Sequence, residues 1–316
     1  MKNEKNSQGL LLRKGYHKRW KWMLVKIWRS AVVPAIVACG LCYVAPAQAT
    51  IYVTADNGTS NLFGTLDVAT GQFTQINTTS PLFFALTNGP GGKIYGADAN
   101  SGGLFKIRPS GVTVPFGSVT APAPSVFFGL AYSSAAGKFF ADNLDLTNPA
   151  TNVDLFSIAG DGNSRSFVGT LAGPNSGFFP TGNLVFGPGG TLYFDYSSDL
   201  VNGTNSTLYA VDPVTGALTA VGNGLGTGVL ALFSDGTALY GVDAVLTSDI
   251  GIYTINPTTG VATQISTVTG LPKGDYFVDT ATGSAPDTSS TFGLLFLALT
   301  TLLGAGRLRH RFGVTA

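Results

Sequence analysis

Five aspartates close five similar apolar strings, and their carboxylates are the first groups in this chain with chemistry to offer. The strings are Ile51-Tyr-Val-Thr-Ala-Asp56, Ile94-Tyr-Gly-Ala-Asp98, Phe139-Phe-Ala-Asp142, Leu192-Tyr-Phe-Asp195 and Leu239-Tyr-Gly-Val-Asp243. Each Asp opens a stretch rich in Asp, Asn, Ser and Thr, and Asp145 joins Asp142 in the third. These stretches are the candidate ligand-face loops. Hard oxygen ligands gathered in this way suit Ca²⁺, and paired Asp could serve as acid and base on a sugar. Neither pattern is complete, because no stretch has the full alternation of an EF-hand and no spacing singles out a pair. The alternative is that Asp and Asn form Asx-turns and cap strand ends. No cofactor is implied beyond that Ca²⁺ option.

Much other chemistry is excluded. From Thr50 to Ala285 there is no Cys, His, Trp, Met or Glu. A Ser-His-Asp or Cys-His arrangement is therefore ruled out for this body, as is a His/Cys zinc site. The body holds six Lys/Arg against fifteen Asp, a net charge of −9, although the whole chain is +1. That balance argues against nucleic acid, which needs a basic footprint. Gly222-Asn-Gly-Leu-Gly226 is a turn and not a phosphate loop, since no Gly-Lys-Ser/Thr follows. Without cysteine no disulfide staples the body, and about 236 residues suffice to bury a core.

The elements that position these aspartates repeat. A second string follows each first one: Leu62-Phe-Gly-Thr-Leu, Leu104-Phe-Lys-Ile, Leu155-Phe-Ser-Ile, Leu208-Tyr-Ala-Val and Ile252-Tyr-Thr-Ile. Apolar and small or polar residues alternate within each string, the pattern of strands with one buried face. After the second string come the turns Asp67-Val-Ala-Thr-Gly71, Asp212-Pro-Val-Thr-Gly216 and Asn256-Pro-Thr-Thr-Gly260, with looser forms at Pro109-Ser-Gly111 and Gly160-Asp-Gly162. Asp or Asn first, Pro next and Gly at a left-handed position describe a type I turn closing a hairpin. Before each later first string stand Gly89-Pro-Gly-Gly92, Gly187-Pro-Gly-Gly190 or Ser234-Asp-Gly236.

Four short strands per unit make the chain an all-β protein, a β-propeller of about five four-stranded blades. First-strand candidates are Phe83–Leu86, Phe127–Tyr132, Leu184–Phe186, Val229–Phe233 and Tyr276–Asp279. The unit that starts at Thr50 lacks its own first strand, and Tyr276–Val278 has no partners after it. The economical solution is that this C-terminal strand completes the first blade and closes the ring, removing open edges. An open β-solenoid or sandwich is the alternative. The repeated Tyr and Phe are core positions; Phe127, Phe128, Phe178 and Phe179 fall near blade junctions.

The flanks read as addresses, and hydrophobic targeting helices are expected at both ends. Residues 1–30 carry nine Lys/Arg against Glu4, followed by an apolar run from Ala31 to Val44 and then Ala47-Gln-Ala49. This is a signal peptide over 1–49, cleaved after a small-x-small site at Ala47 and Ala49. Met23 is an alternative start, and a lipobox with acylated Cys39 is the alternative processing. At the other end, Ala285-Pro-Asp-Thr-Ser-Ser-Thr291 precedes an apolar run from Phe292 to about Gly306 and the basic stop Arg307, Arg309 and Arg311. Roughly 15 residues make about 22 Å of helix, short of the roughly 30 Å hydrocarbon core. Basic residues on the outer side of both apolar segments place both ends in the cytoplasm and the body outside.

This tail, 285–316, resembles the PEP-CTERM class of bacterial sorting signals, in the variant reading Val-Pro-Asp-Ser/Thr-Gly-Ser-Thr. Pro286, Asp287, Thr288, Ser290 and Thr291 match it, while Ala285 replaces Val and Ser289 replaces Gly. The resemblance covers about the last tenth of the chain. It implies an exosortase-type membrane protease as partner, transient residence in the inner membrane, and delivery to the cell surface or extracellular matrix. It also implies exopolysaccharide or other matrix components as partners of the class. The expectation is a binding or structural propeller over 50–284 without catalysis. The alternative is a propeller-type extracellular enzyme, a Ca²⁺-dependent lactonase or a polysaccharide lyase.

Overall fold

A computed structural model describes residues 50–56, 61–144, 152–172, 179–199, 204–243, 249–272 and 276–283. The sorting residues Pro286, Asp287, Thr288, Ser290, Thr291, Arg307, Arg309 and Arg311, the cleavage residues Ala47 and Ala49, Asp145, and both expected targeting helices lie outside them. Among the described residues no helix is long and apolar enough to cross a membrane.

Twenty strands form five antiparallel four-stranded sheets, the blades of an all-β propeller. β1 (Thr50–Asp56), β2 (Asn61–Leu66) and β3 (Phe73–Thr79) belong to blade 1. Blade 2 is β4 (Phe83–Asn88), β5 (Ile94–Asp98), β6 (Gly103–Ile107) and β7 (Thr113–Thr120). Blade 3 is β8 (Val126–Ser133), β9 (Lys138–Leu144), β10 (Asn152–Ala159) and β11 (Arg165–Ala172). Blade 4 is β12 (Phe179–Phe186), β13 (Leu192–Asp199), β14 (Thr204–Val211) and β15 (Leu218–Ala220). Blade 5 is β16 (Val229–Ser234), β17 (Leu239–Asp243), β18 (Gly251–Ile255) and β19 (Ala262–Thr267). The last strand, β20 (Tyr276–Gly283), pairs with β1 from Thr50↔Gly283 to Asp56↔Tyr276.

The core is divided into layers between blades, because each sheet buries both faces against its neighbours. Blades 1 and 2 share Phe63, Phe83, Leu86, Ile94 and Ile107. Blades 2 and 3 share an aromatic layer with Tyr95, Phe127, Phe139 and Phe156. Blades 3 and 4 meet through Leu155, Leu184, Phe194 and Tyr196, and blades 4 and 5 through Leu208, Leu232 and Leu239. Blade 5 returns to blade 1 through Ala231, Phe233, Val242 and Ile252 against Ile51, Val53 and Phe73.

Antiparallel succession puts all tight turns, first-to-second and third-to-fourth strand, on one face. The longer second-to-third connections and the links to the next blade lie on the other. We call these the turn face and the loop face. The hairpin turns also stitch the rim. Gly162 O of blade 3 accepts the Ser118 and Val119 NH groups of blade 2, both at 3.0 Å. The Gly71 turn of blade 1 meets blade 5 in the same way: Thr269 NH donates to Gly71 O at 2.8 Å, and Phe73 NH donates to Thr269 O at 2.8 Å. Gly71 has φ +74°, and a Cβ there would run into Thr267 O.

Candidate functional site

The five string-closing aspartates sit at matching places, at or near the loop-face end of each blade's second strand. The structure places them inside the protein: Asp142 and Asp195 are fully buried, and Asp56, Asp98 and Asp243 are at most 9 % exposed. The innermost strand opposite each one breaks its register nearby. In blades 1, 2, 3 and 5 an extra residue of the inner strand, Val278, Phe84, Phe128 or Leu230, is left out of the ladder. In blade 4 the pairing skips from Pro180 to Leu184, across from Asp195. A bulge frees backbone NH groups that need an acceptor, and a short carboxylate on the neighbouring strand is within reach.

Asp142 shows the arrangement most fully. Its Oδ1 accepts the NH of Gly129, next to the bulge, and its Oδ2 is buried without a hydrogen-bond partner. Burial pushes its carboxyl up to about 8, against the opposing pull of the Gly129 NH, its own NH and the Phe128 NH. The Asp142 carboxyl is thus mostly neutral at moderate pH. Tyr196 of blade 4 lies close enough that ionised Asp142 would raise it further, and its hydroxyl donates to Leu171 O of blade 3 at 2.6 Å. Burial raises the Tyr196 hydroxyl well above the usual tyrosine range.

Asp243 and Asp98 use their oxygens locally. The former accepts Gly251 NH at 3.0 Å and the Tyr253 hydroxyl at 3.2 Å. The latter forms an Asx-turn, accepting Asn100 NH and Ser101 NH, both at 3.1 Å, and the Ser101 hydroxyl at 2.6 Å. The aspartates are therefore distributed one to a blade. Among the described residues no three acidic, His or Cys side chains come together. An incoming cation would have to compete with internal bonds at Asp98, Asp142 and Asp243.

Two features of the axis went unread in the sequence. The bulged Phe84 and Phe128 of adjacent inner strands meet edge to face with ring centroids 5.3 Å apart. At the turn-face end, the last residues of four inner strands surround a cavity of about 90 Å³, room for a few waters. Its polar lining is Thr87, Asn88, Tyr132 and Ser234. Asn88 Oδ1 is buried there without a partner. The available signal was positional, since Asn88 and Ser234 both end inner strands.

No family model and no curated protein matches the chain. Among solved structures it is similar to virginiamycin B lyase from Staphylococcus aureus, at 16% identity over 72% of each chain and a TM-score of 0.40. It is also similar to TolB from Acinetobacter baumannii, at 15% identity over 72% of this chain and 56% of that chain, with a TM-score of 0.43. An oligogalacturonate lyase in complex with manganese is 16% identical over 68% of this chain and 64% of that one, with a TM-score of 0.36. At such identities and TM-scores none of them speaks to what this chain binds or does.

Proposed function

We propose that the chain is exported, that residues 50–284 act as a binding or structural module at the cell surface or in the extracellular matrix, and that an exosortase-type membrane protease sorts it through the tail. The signal peptide is removed after Ala49, the short apolar span holds the protein transiently in the inner membrane, and the C-terminal strand closes blade 1. The β1–β20 ladder supports that closure. One observation carries the sorting reading: Pro286-Asp-Thr-Ser-Ser-Thr291 stands directly before a short apolar run and its basic stop. A non-catalytic role is supported by the aspartates, three of which hold backbone NH groups inside their own blades. Matrix polysaccharide is the partner class that the tail's resemblance implies.

Replacing Pro286-Asp287 by Ala-Ala tests the address. In a host with an exosortase, export should continue while transfer beyond the inner membrane stops. A variant fractionating like the wild type would leave a plain C-terminal anchor. N-terminal sequencing of the exported protein should read from Thr50; a start at acylated Cys39 would make it a lipoprotein instead.

A further inference from the structure

The cations of the body are few, and among the described residues they are all on one side. Lys93 precedes β5, Lys106 lies at the end of β6 and Arg108 just after it, Lys138 opens β9 and Arg165 opens β11. Every one of these places is a turn-face end, and all belong to blades 2 and 3. Lys106, Lys93 and Arg108 are close enough that their mutual repulsion lowers the Lys106 ammonium, with Lys93 the largest cause. In a body of net charge −9, three cations held together do not serve local charge balance. The acids of the turn face lie mostly elsewhere: Asp67, Asp212 and Asp235 belong to blades 1, 4 and 5, and only Asp161 falls in the basic sector.

Exposed apolar side chains accompany the cations. Val112 and Val114, 48 % and 43 % exposed, stand beside Arg108 and Lys106 at the start of β7, where Val114 is the register partner of Lys106. Phe167, 59 % exposed, stands two residues from Arg165, whose guanidinium lies 5.1 Å from the Phe156 ring centre. The two blades are also joined farther along β7, where Phe116 packs on Gly162 and the Ser118 NH donates to Gly162 O. Basic groups beside apolar ones are the chemistry of a surface that settles on anionic lipid headgroups. The point where the folded body meets its flanking segments is on the same face. β1 begins and β20 ends there, with Thr50 opposite Gly283 in blade 1, next to blade 2.

We infer that the turn-face corner of blades 2 and 3 docks on an anionic phospholipid surface, turning the loop face away from the membrane. This rests on the body being held near a membrane, as proposed above, but uses residues that the tail does not contain. Docking of this kind is electrostatic at long range, so salt should release it.

The test uses the full chain in nanodiscs of phosphatidylcholine, alone or with phosphatidylglycerol, and follows acylation of Lys93, Lys106 and Lys138 by mass spectrometry. All three should react several-fold more slowly with phosphatidylglycerol present, and salt on the order of 1 M should restore the rates. Lys93→Glu with Arg108→Glu should abolish the difference at Lys106 and Lys138 without lowering the melting temperature, since both changed side chains are exposed. Equal rates in the two lipids would overturn the inference. So would protection of the same lysines by polygalacturonate in discs of phosphatidylcholine alone, which would make an acidic polysaccharide the occupant. Retention on phosphatidylcholine discs reads the apolar span and the lipid difference reads the corner, so each reading can fail without the other.

Discussion

Aspartate does opposite work at the two ends of a blade. At the loop face Asp142 is sealed in, bonded to an inner-strand NH, and its carboxyl rises to about 8. At the turn face Asp212 is exposed, and the Thr215 hydroxyl at 2.7 Å and the Val214 NH at 2.9 Å hold its carboxyl below the usual range. Both side chains accept hydrogen bonds from nearby groups. Solvation separates them: a carboxylate that keeps its water gains from each added donor, whereas one that loses its water is driven neutral despite them. A buried acid in a repeat is therefore a scaffold part before it is a ligand.

The largest break in this comparison is to remove the half of the inner strand that Asp56 faces. Deleting Lys273–Asp279 should abolish cooperative unfolding and promote aggregation through the exposed edge of β1. A deletion variant with unchanged melting temperature and solubility would show that the ends act independently.

Next come two left-handed glycines of the turn face. Gly71→Ala should destabilise strongly, because the new methyl meets Thr267 O as well as an unfavourable φ. Gly189→Ala, at φ +81° with open space around it, should cost only the backbone term, about 1–2 kcal/mol. Equal losses in denaturant melts would mean that the blade-to-blade stitch contributes nothing.

At pH 4, where the wild-type carboxyl carries little protonation cost, Asp142→Ala should cost about 1–3 kcal/mol by orphaning a buried NH. The pH dependence sharpens the point. Between the unfolded value near 3.9 and the folded value of about 8, the folded protein keeps a proton that the unfolded chain releases. Stability is therefore full in acid and falls as pH rises through that window, by at most about 1.4 kcal/mol per unit from this group. Asp142→Asn should flatten the fall between pH 5 and 8, and a wild-type curve that rises across this window would contradict the assignment. Asp212→Ala should have the smallest effect. Its contribution has the opposite sign with pH, present above the unfolded value and lost as pH falls below it, and should show as a slight loss of acid resistance.

The blade was legible because its signals are local. Alternation, the Asp-x-x-x-Gly turns and the Gly-Pro-Gly-Gly turns each lie within a few residues, and the strands fall on the strings that carry them. Even the fourth-strand bulges leave a trace, since Ile76 and Ile265, unpaired in their ladders, are exposed isoleucines set among Gln, Asn, Ser and Thr. The fate of Asp142 was not legible. Its neighbours Leu155 and Tyr196 come from other strands, and its bonding depends on a bulge that exists only as a mismatch between β8 and β9. The same holds for Lys93, Lys106 and Arg108, whose grouping becomes visible only after strand direction has been assigned.

The pairing of Thr54 with Asp279 also sets an order of events in time. Blade 1 is the first part of the body to be synthesised, yet its innermost strand is among the last. Its first three strands must wait for nearly the whole body before that ladder can form, and closing so long a loop is slow relative to the local hairpins. The interval leaves β1 with one unpaired edge and Val53 without its full cover, a state that a chaperone or a threading channel would meet. With the closure proposed above, folding ends with a single late step that completes the first sheet.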